Sequence, residues 1–203
     1  VVRDPACHRR CLLENPHLRG ADFVTFDNTC ENIPIPVRYN AFLDALPPDA
    51  EWILFAHEDF EPLADPRPLL RTRDPWFPLG LIGTRIVAGF AILPFGQIED
   101  SERDGSRPQR IVALPRLGRL IGTMVEAFDC CGFFVHADLF RRLNLRFDPD
   151  CPWDLYAEAL CYQYITKTGH LARLIPLPAH HWSRGDTKRD TFRAALAHLN
   201  AQY

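Results

Sequence analysis

The sequence is poor in lysine, in methionine and in uninterrupted apolar runs. Of its 23 basic residues only Lys167 and Lys188 are lysines, and the formal net charge is −3. With no basic excess, a general attraction to phosphate backbones or anionic lipid is excluded, and no nucleic-acid partner is expected. The most apolar stretch, Leu79 to Ile98, is broken by Arg85, Pro94 and four glycines. A spanning helix needs about 20 predominantly apolar residues, so no transmembrane segment is expected. No signal-peptide pattern opens the chain. Cysteine occurs seven times, an odd number, and never as Cys-x-x-Cys. That usage argues against a disulfide framework and for reduced core thiols in a cytoplasmic compartment.

What is present has the balance of a globular protein. The 203 residues are 47% hydrophobic and 24% charged, enough to bury one core in one domain. Eighteen prolines, close to double the usual share, punctuate the chain into short elements. Arginine suits phosphate and carboxylate recognition, but its use throughout the chain fits a codon-composition bias.

The order of elements predicts an α/β domain. Val1-Val2 reads as the stub of a strand, Pro5 to Leu13 as a helix and Asp22 to Phe26 as a short strand running into Asp27-Asn28. Helical spacing over Val37 to Leu46 places Tyr39, Phe42, Leu43 and Leu46 in one apolar stripe. Trp52 to Ala56 is a continuous apolar run of strand length, as in a strand buried on both faces. This alternation predicts a mostly parallel sheet flanked by helices, with ligands collecting at strand carboxyl ends, where Asp27-Asn28 and His57-Glu58-Asp59 fall. Further on, Leu79 to Ile82, Ala88 to Leu93, Phe133 to Val135 and Leu171 to Ile175 read as strands. Glu99 to Gln109 reads as an exposed loop. Helices are predicted over His136 to Leu143, over Trp153 to Thr168 with Gly169 as its C-cap, and over Thr187 to Leu199 from an Asp186 cap. Residues 1–186 form the domain in this reading, and 187–203 a C-terminal helix packed on or extending from it.

Several residues have the chemistry of a site. The tripeptide His57-Glu58-Asp59, at a strand end, suits either a hard divalent cation that also binds phosphate oxygens or a solvated turn. His180-His181 follows another strand end and offers neutral imidazole donors, although paired histidines are also ordinary surface residues. Asp154 and Glu158, at i and i+4 of one predicted helix, share a face and can raise one another's pKa, or simply form its acidic start. Asp129 is an acid in an apolar neighbourhood, with a turn or capping role as the alternative. Arg38 and Asn40 open the helix facing Asp27 and suit gripping a base or phosphate, or capping.

In combination these segments resemble a GT-A glycosyltransferase of the large inverting family that includes rhamnosyl- and galactosyltransferases (glycosyltransferase family 2). The resemblance runs in order from Val1 to about Gly185. Asp22 to Asn28 resembles the strand and acid that hold the nucleotide base, and Val37 to Phe42 the helix start near the nucleotide. Trp52 to Asp59 is similar to the strand entering the DxD metal motif, with His57 in place of the first acid and Asp59 as the second. Glu126 to Phe134 resembles the segment placing an acceptor-site acid, here Asp129. Arg146 to Asp148 followed by Trp153 to Gly169 is similar to the stretch with the catalytic acid. Glu158 stands eleven residues ahead of Gly169, in the pair Ala157-Glu158 where the family usually has Glu-Asp. Leu177 to Gly185 resembles the closing histidine segment, with His181 better spaced than His180 from Ser183 and Gly185.

The resemblance implies metal-assisted sugar transfer, with inversion, from a nucleotide-diphosphate sugar to the hydroxyl of a saccharide or other acceptor. It implies Mn²⁺ or Mg²⁺ as cofactor, held by Asp59, His57 and His181. Asp27, Asn28, Arg38 and Asn40 would face the nucleotide and Asp129 the acceptor, with Glu158 or Asp154 as the base. Two other readings stand beside it. One is a metal-dependent phosphoesterase using His57, Asp59, His180 and His181, with two metals about 3.5–4 Å apart. The other is a non-catalytic nucleotide- or carbohydrate-binding domain of the same fold.

Overall fold

The computed structural model describes residues 1–87, 91–96, 98–100, 110–111, 124–182 and 188–203. Asp4 caps α1 (Pro5–His8) through Cys7 N, and a π-helical turn over Arg9–Leu13 continues it. Helix α2 (Ile35–Asp44) starts after Pro34 and buries Tyr39 and Leu43, half of the apolar stripe read from the sequence. A short α3 (Arg67–Leu70) follows. In α4 (Ala137–Leu143) the His136 side chain accepts from Asp138 N, and the helix ends at left-handed Asn144.

Helix α5 (Tyr156–Thr168) ends at Gly169, whose φ of +71° is the left-handed cap expected there. Its start differs from expectation. Leu155 adopts φ +60°, which a helix cannot continue through, so the helix begins at Tyr156 and Asp154 lies outside it. Asp154 and Glu158 are therefore not an i, i+4 pair on one helical face. The last helix, α6 (Asp190–Gln202), is likewise displaced from Thr187 to Leu199. Arg189 stands at its N-cap without a side-chain cap bond, and Asp186 lies outside the described residues.

The fold is α/β with a mixed sheet, and the expectation of a mostly parallel sheet is corrected. Five strands pair in the order β1 (Trp52–Ala56), β10 (Gly132–His136), β3 (Leu79–Gly80), β11 (Ala172–Leu174) and β8 (Met124–Val125). Within this sheet only β3 and β11 run parallel; the other three pairings are antiparallel. A second sheet joins β2 (Phe60–Pro62), β12 (Ala179–His181), β6 (Glu99–Asp100) and β7 (Arg110–Ile111). A third joins β5 (Ala91–Gly96), β4 (Ile82–Val87) and β9 (Ala127–Phe128).

The reason lies in the first half of the chain. Asp22 to Phe26 forms no strand, and Val2 and Asp27 make only an isolated parallel bridge. Residues 22–25 are exposed, so the segment has no buried face to hold it in a sheet. The partner of β1 comes from later in the chain instead. The expected Glu99 to Gln109 loop opens as β6, and its residues 101–109 lie outside the described residues, as do 88–90 of the strand expected at Ala88 to Leu93.

Strand β1 is packed on both sides. Ile53 and Phe55 face a cluster with Tyr39, Phe133, Phe147 and Tyr156, while Leu54 and Ala56 face one with Cys7, Cys11, Phe60 and Leu79. Ala195 and Leu199 of α6 belong to the first cluster. His198 Nε2 lies 2.9 Å from Asp148 Oδ2, and Thr191 Oγ1 donates to Asp154 Oδ2 at 2.7 Å. All seven cysteines are free. No described helix is long and apolar enough to cross a membrane.

Close approach fixes one glycine. A Cβ on Gly132 would fall 2.6 Å from Cε2 of Phe60, and that ring is fully buried. Gly132→Ala is expected to lower stability by about 1–3 kcal/mol, read as a lower urea midpoint; an unchanged midpoint means that the Phe60 ring has room to move.

Candidate functional site

Antiparallel pairing of β1 with β10 sets Ala56 opposite Gly132. The end of β1 thereby meets the beginning of β10, and His57 N donates to Cys131 O at 2.9 Å. The chain then turns, with Phe60 N donating to His57 O, and enters β2. Strand β12 pairs with β2 so that His181 sits opposite Phe60, and Trp182 N donates to Asp59 O at 3.0 Å. Three sequence-distant side chains converge as a result.

His57, Asp59 and His181 place one ligand atom each within 4.8 Å of one another. His181 Nε2 lies 3.4 Å from Asp59 Oδ1, and the His57 and His181 rings are 5.6 Å apart. Asp59 and His181 are buried. Burial, then the nearby His181, holds the His57 pKa well below its ordinary value, so His57 is neutral near pH 7 with a lone pair to give. Two imidazoles and one carboxylate are a reasonable donor set for a divalent ion. Imidazole suits transition metals, whereas Mg²⁺ favours oxygen alone, so the set fits Mn²⁺ better than Mg²⁺.

His180 is not part of this group. It stacks on Trp182 with ring centroids 3.9 Å apart, and Arg10 lies over that indole. Alternation along β12 puts His180 and His181 on opposite sides. Glu58 is also used differently from its neighbours, since its Oε2 accepts from Asp4 N at 2.9 Å and from Arg3 N. This ties the amino-terminal segment to the end of β1.

Beside the histidines lies an acidic group. Asp129 Oδ1 accepts from Cys131 N at 2.8 Å, shaping the turn into β10. Glu158, in the first turn of α5, has its Oε2 sealed from solvent without a hydrogen-bond partner among the described residues. Burial, then Asp129 and Asp154, push its pKa up to about 8. Asp154 is engaged by Thr191. Tyr156, two residues before Glu158 and fully buried, has its hydroxyl 2.8 Å from His57 Nε2 and 3.4 Å from Cys130 O. The strained Leu155, at about 1–3 kcal/mol for such a backbone, sets where Tyr156 and Glu158 start their helix.

The four residues expected near the nucleotide have divided roles. Asn28 and Asn40 are spent on backbone. Asn28 bonds both N and O of Ile33 at 3.2 Å, and Asn40 bonds Phe147 N at 2.9 Å and Phe147 O at 2.8 Å. Asp27 is exposed and accepts from Thr29 N and Thr29 Oγ1, which lower its pKa. Arg38 pairs with Glu31 and reaches Asp27 O, while its Nε is buried without a partner among the described residues. Among the four, Asp27 and Arg38 keep functional atoms free of backbone duties.

Sequence reasoning missed Tyr156, Cys130 and Leu155. Tyr156 stands two residues before Glu158, but nothing in its local pattern marks a contact with His57. Compared with models of known protein families and with curated proteins, the chain matches none.

The Glu158 carboxyl makes stability depend on pH. With its folded pKa near 8, above the ordinary 4.5, the folded chain keeps a proton that the unfolded chain releases, so stability falls as pH rises across that window. Glu158→Gln is expected to leave the urea midpoint nearly unchanged at about pH 5 and to raise it relative to the unmodified protein at about pH 8.5. A difference that does not vary with pH would count against a proton-holding Glu158.

Proposed function

We propose that the chain is a GT-A-like inverting glycosyltransferase domain. In this reading it works in the cytoplasm and moves a sugar from a nucleotide-diphosphate sugar to an acceptor hydroxyl. The observation that carries the reading is the pairing of two sites at one sheet end. Glu158, whose Oε2 has no hydrogen-bond partner among the described residues, stands two residues after Tyr156, which bonds His57, and Asp129 acts on both Glu158 and His57. A general base works best with a pKa near the operating pH, which Glu158 has.

The residues divide the work as follows. In its ionised form, Glu158 takes the acceptor O–H proton as that oxygen attacks the anomeric carbon. The bond to the diphosphate breaks on the opposite face, and its electron pair leaves on the diphosphate oxygen. Bound Mn²⁺ would neutralise charge on that leaving group. Asp59, His57 and His181 would hold the ion, and Arg38, with its orphaned Nε, would meet a phosphate or base beside Asp27. Asp129 helps keep Glu158 basic and faces the acceptor side. Asp154 is the weaker candidate for the base because Thr191 already holds it.

A two-metal phosphoesterase is less well supported, since His180 stacks on Trp182 and three ligand groups suit a single ion.

Two measurements test the proposal. Glu158→Gln is expected to slow sugar transfer about 10²–10⁴-fold while nucleotide-sugar affinity survives, and Asp154→Asn to have a much smaller effect. Normal turnover in Glu158→Gln sinks the base assignment, and binding without turnover in the unmodified protein points to a non-catalytic domain. Asp59→Asn is expected to weaken Mn²⁺-dependent binding of a nucleoside diphosphate at least tenfold by calorimetry. Unchanged affinity removes the metal from the reading.

A further inference from the structure

Tyr156 holds a position that the proposed chemistry does not yet use. Its ring is fully buried, in edge contact with Tyr39 at 5.9 Å and packed beside Phe147 at 6.2 Å. The hydroxyl is thereby fixed in place. It meets His57 Nε2 at 2.8 Å, the Cys130 carbonyl at 3.4 Å and the Tyr39 hydroxyl.

A neutral imidazole carries one N–H and one lone pair, and a phenol has one proton to give. With the Tyr39 hydroxyl donating to the phenol oxygen in either case, two arrangements serve the His57 and Cys130 contacts. In the first, Tyr156 donates to His57 Nε2, which puts the imidazole hydrogen on Nδ1 and leaves that nitrogen no lone pair for a cation. In the second, Tyr156 donates to Cys130 O, a group that only accepts. His57 Nε2–H then donates to the phenol oxygen, and the lone pair sits on Nδ1. The passage between them moves the imidazole hydrogen from Nδ1 to Nε2 and turns the phenol proton from Nε2 to the carbonyl; no atom is gained or lost.

We propose that Tyr156 is the positioning residue of the cation site, holding His57 as the Nε2–H tautomer so that Nδ1 is the nitrogen that binds the ion. The inference rests on the reading of His57, Asp59 and His181 as a cation site. Metal-bound histidines commonly donate their other ring N–H to a fixed acceptor, and removal of that acceptor typically costs 10–100-fold in metal affinity. A tyrosine in this role also ties the cation to the turn that carries Glu158, because the two side chains are two residues apart at the start of α5.

The test uses the full chain with metal alone. Tyr156→Phe keeps the ring and removes only the hydroxyl, and it is expected to weaken Mn²⁺ binding 10–100-fold by calorimetry. In the unmodified protein, ¹⁵N spectra of the histidine rings with Zn²⁺ are expected to shift His57 Nδ1 while Nε2 keeps its N–H character. Equal Mn²⁺ affinity in Tyr156→Phe, or a shift at His57 Nε2, overturns this inference and leaves the cation site standing. No Mn²⁺ or Zn²⁺ binding by the unmodified protein overturns the cation reading and this inference with it. If Tyr156→Phe fails to fold, the ¹⁵N spectra of the unmodified protein decide alone.

Discussion

The hydrogen-bonded ladder between β1 and β10 is the constraint on which the rest depends. Five residue pairs, from Trp52 with His136 to Ala56 with Gly132, lock the register. A slip of one residue would turn every side chain of β1 to the opposite face. It would move Phe55 away from Phe133, against which it stacks at 5.2 Å, and carry His57 away from Cys131. Gly132 admits Phe60 where any side chain would collide, so the turn after His57 can fold back closely enough to start β2. From that turn follow the placement of β12 and the meeting of His181 with Asp59.

The site is organised by desolvation. Burial favours the neutral form of His57 and of Glu158 alike, lowering one pKa and raising the other. Each shift fits the role proposed for its group, a neutral ligand for one and a base for the other. Tyr156, two residues before Glu158, engages His57 directly. Strain at Leu155 is the local cost of this arrangement. It stops α5 from beginning at Trp153 and frees Asp154 to bond Thr191 on α6. Through this contact and that of His198 with Asp148, the last helix braces the segment leading to Glu158.

Elements with strong local patterns were legible in the sequence. The apolar run Trp52 to Ala56, the stripe around Tyr39 and Leu43, and the glycine ending α5 form as their chemistry dictates. The grouping of His57, Asp59 and His181 was implied by the family resemblance rather than by local pattern, and His180-His181, expected after a strand end, lies within β12. Strand direction was not legible, because an antiparallel partner can arrive from anywhere in the chain and a short apolar run carries no sign of its orientation. What holds the two amides of the expected nucleotide set was not legible either. Asn28 and Asn40 have the composition of ligand-binding amides, yet each spends both ends on backbone groups several to more than a hundred residues away.

Sequence alone determined the α/β class, the helix cap at Gly169, and the residue types available for metal and acid–base chemistry. These depend on neighbours a few positions apart, where backbone preference and side-chain spacing act directly. Tertiary structure alone decided that the sheet is largely antiparallel, that pairing of β12 with β2 carries His181 to Asp59, and that Tyr156 touches His57. It also decided that Glu158, not Asp154, has a buried carboxyl oxygen without a partner among the described residues. Those outcomes turn on burial and on contacts between distant segments, and both exist only once the strands have paired and expelled water between them.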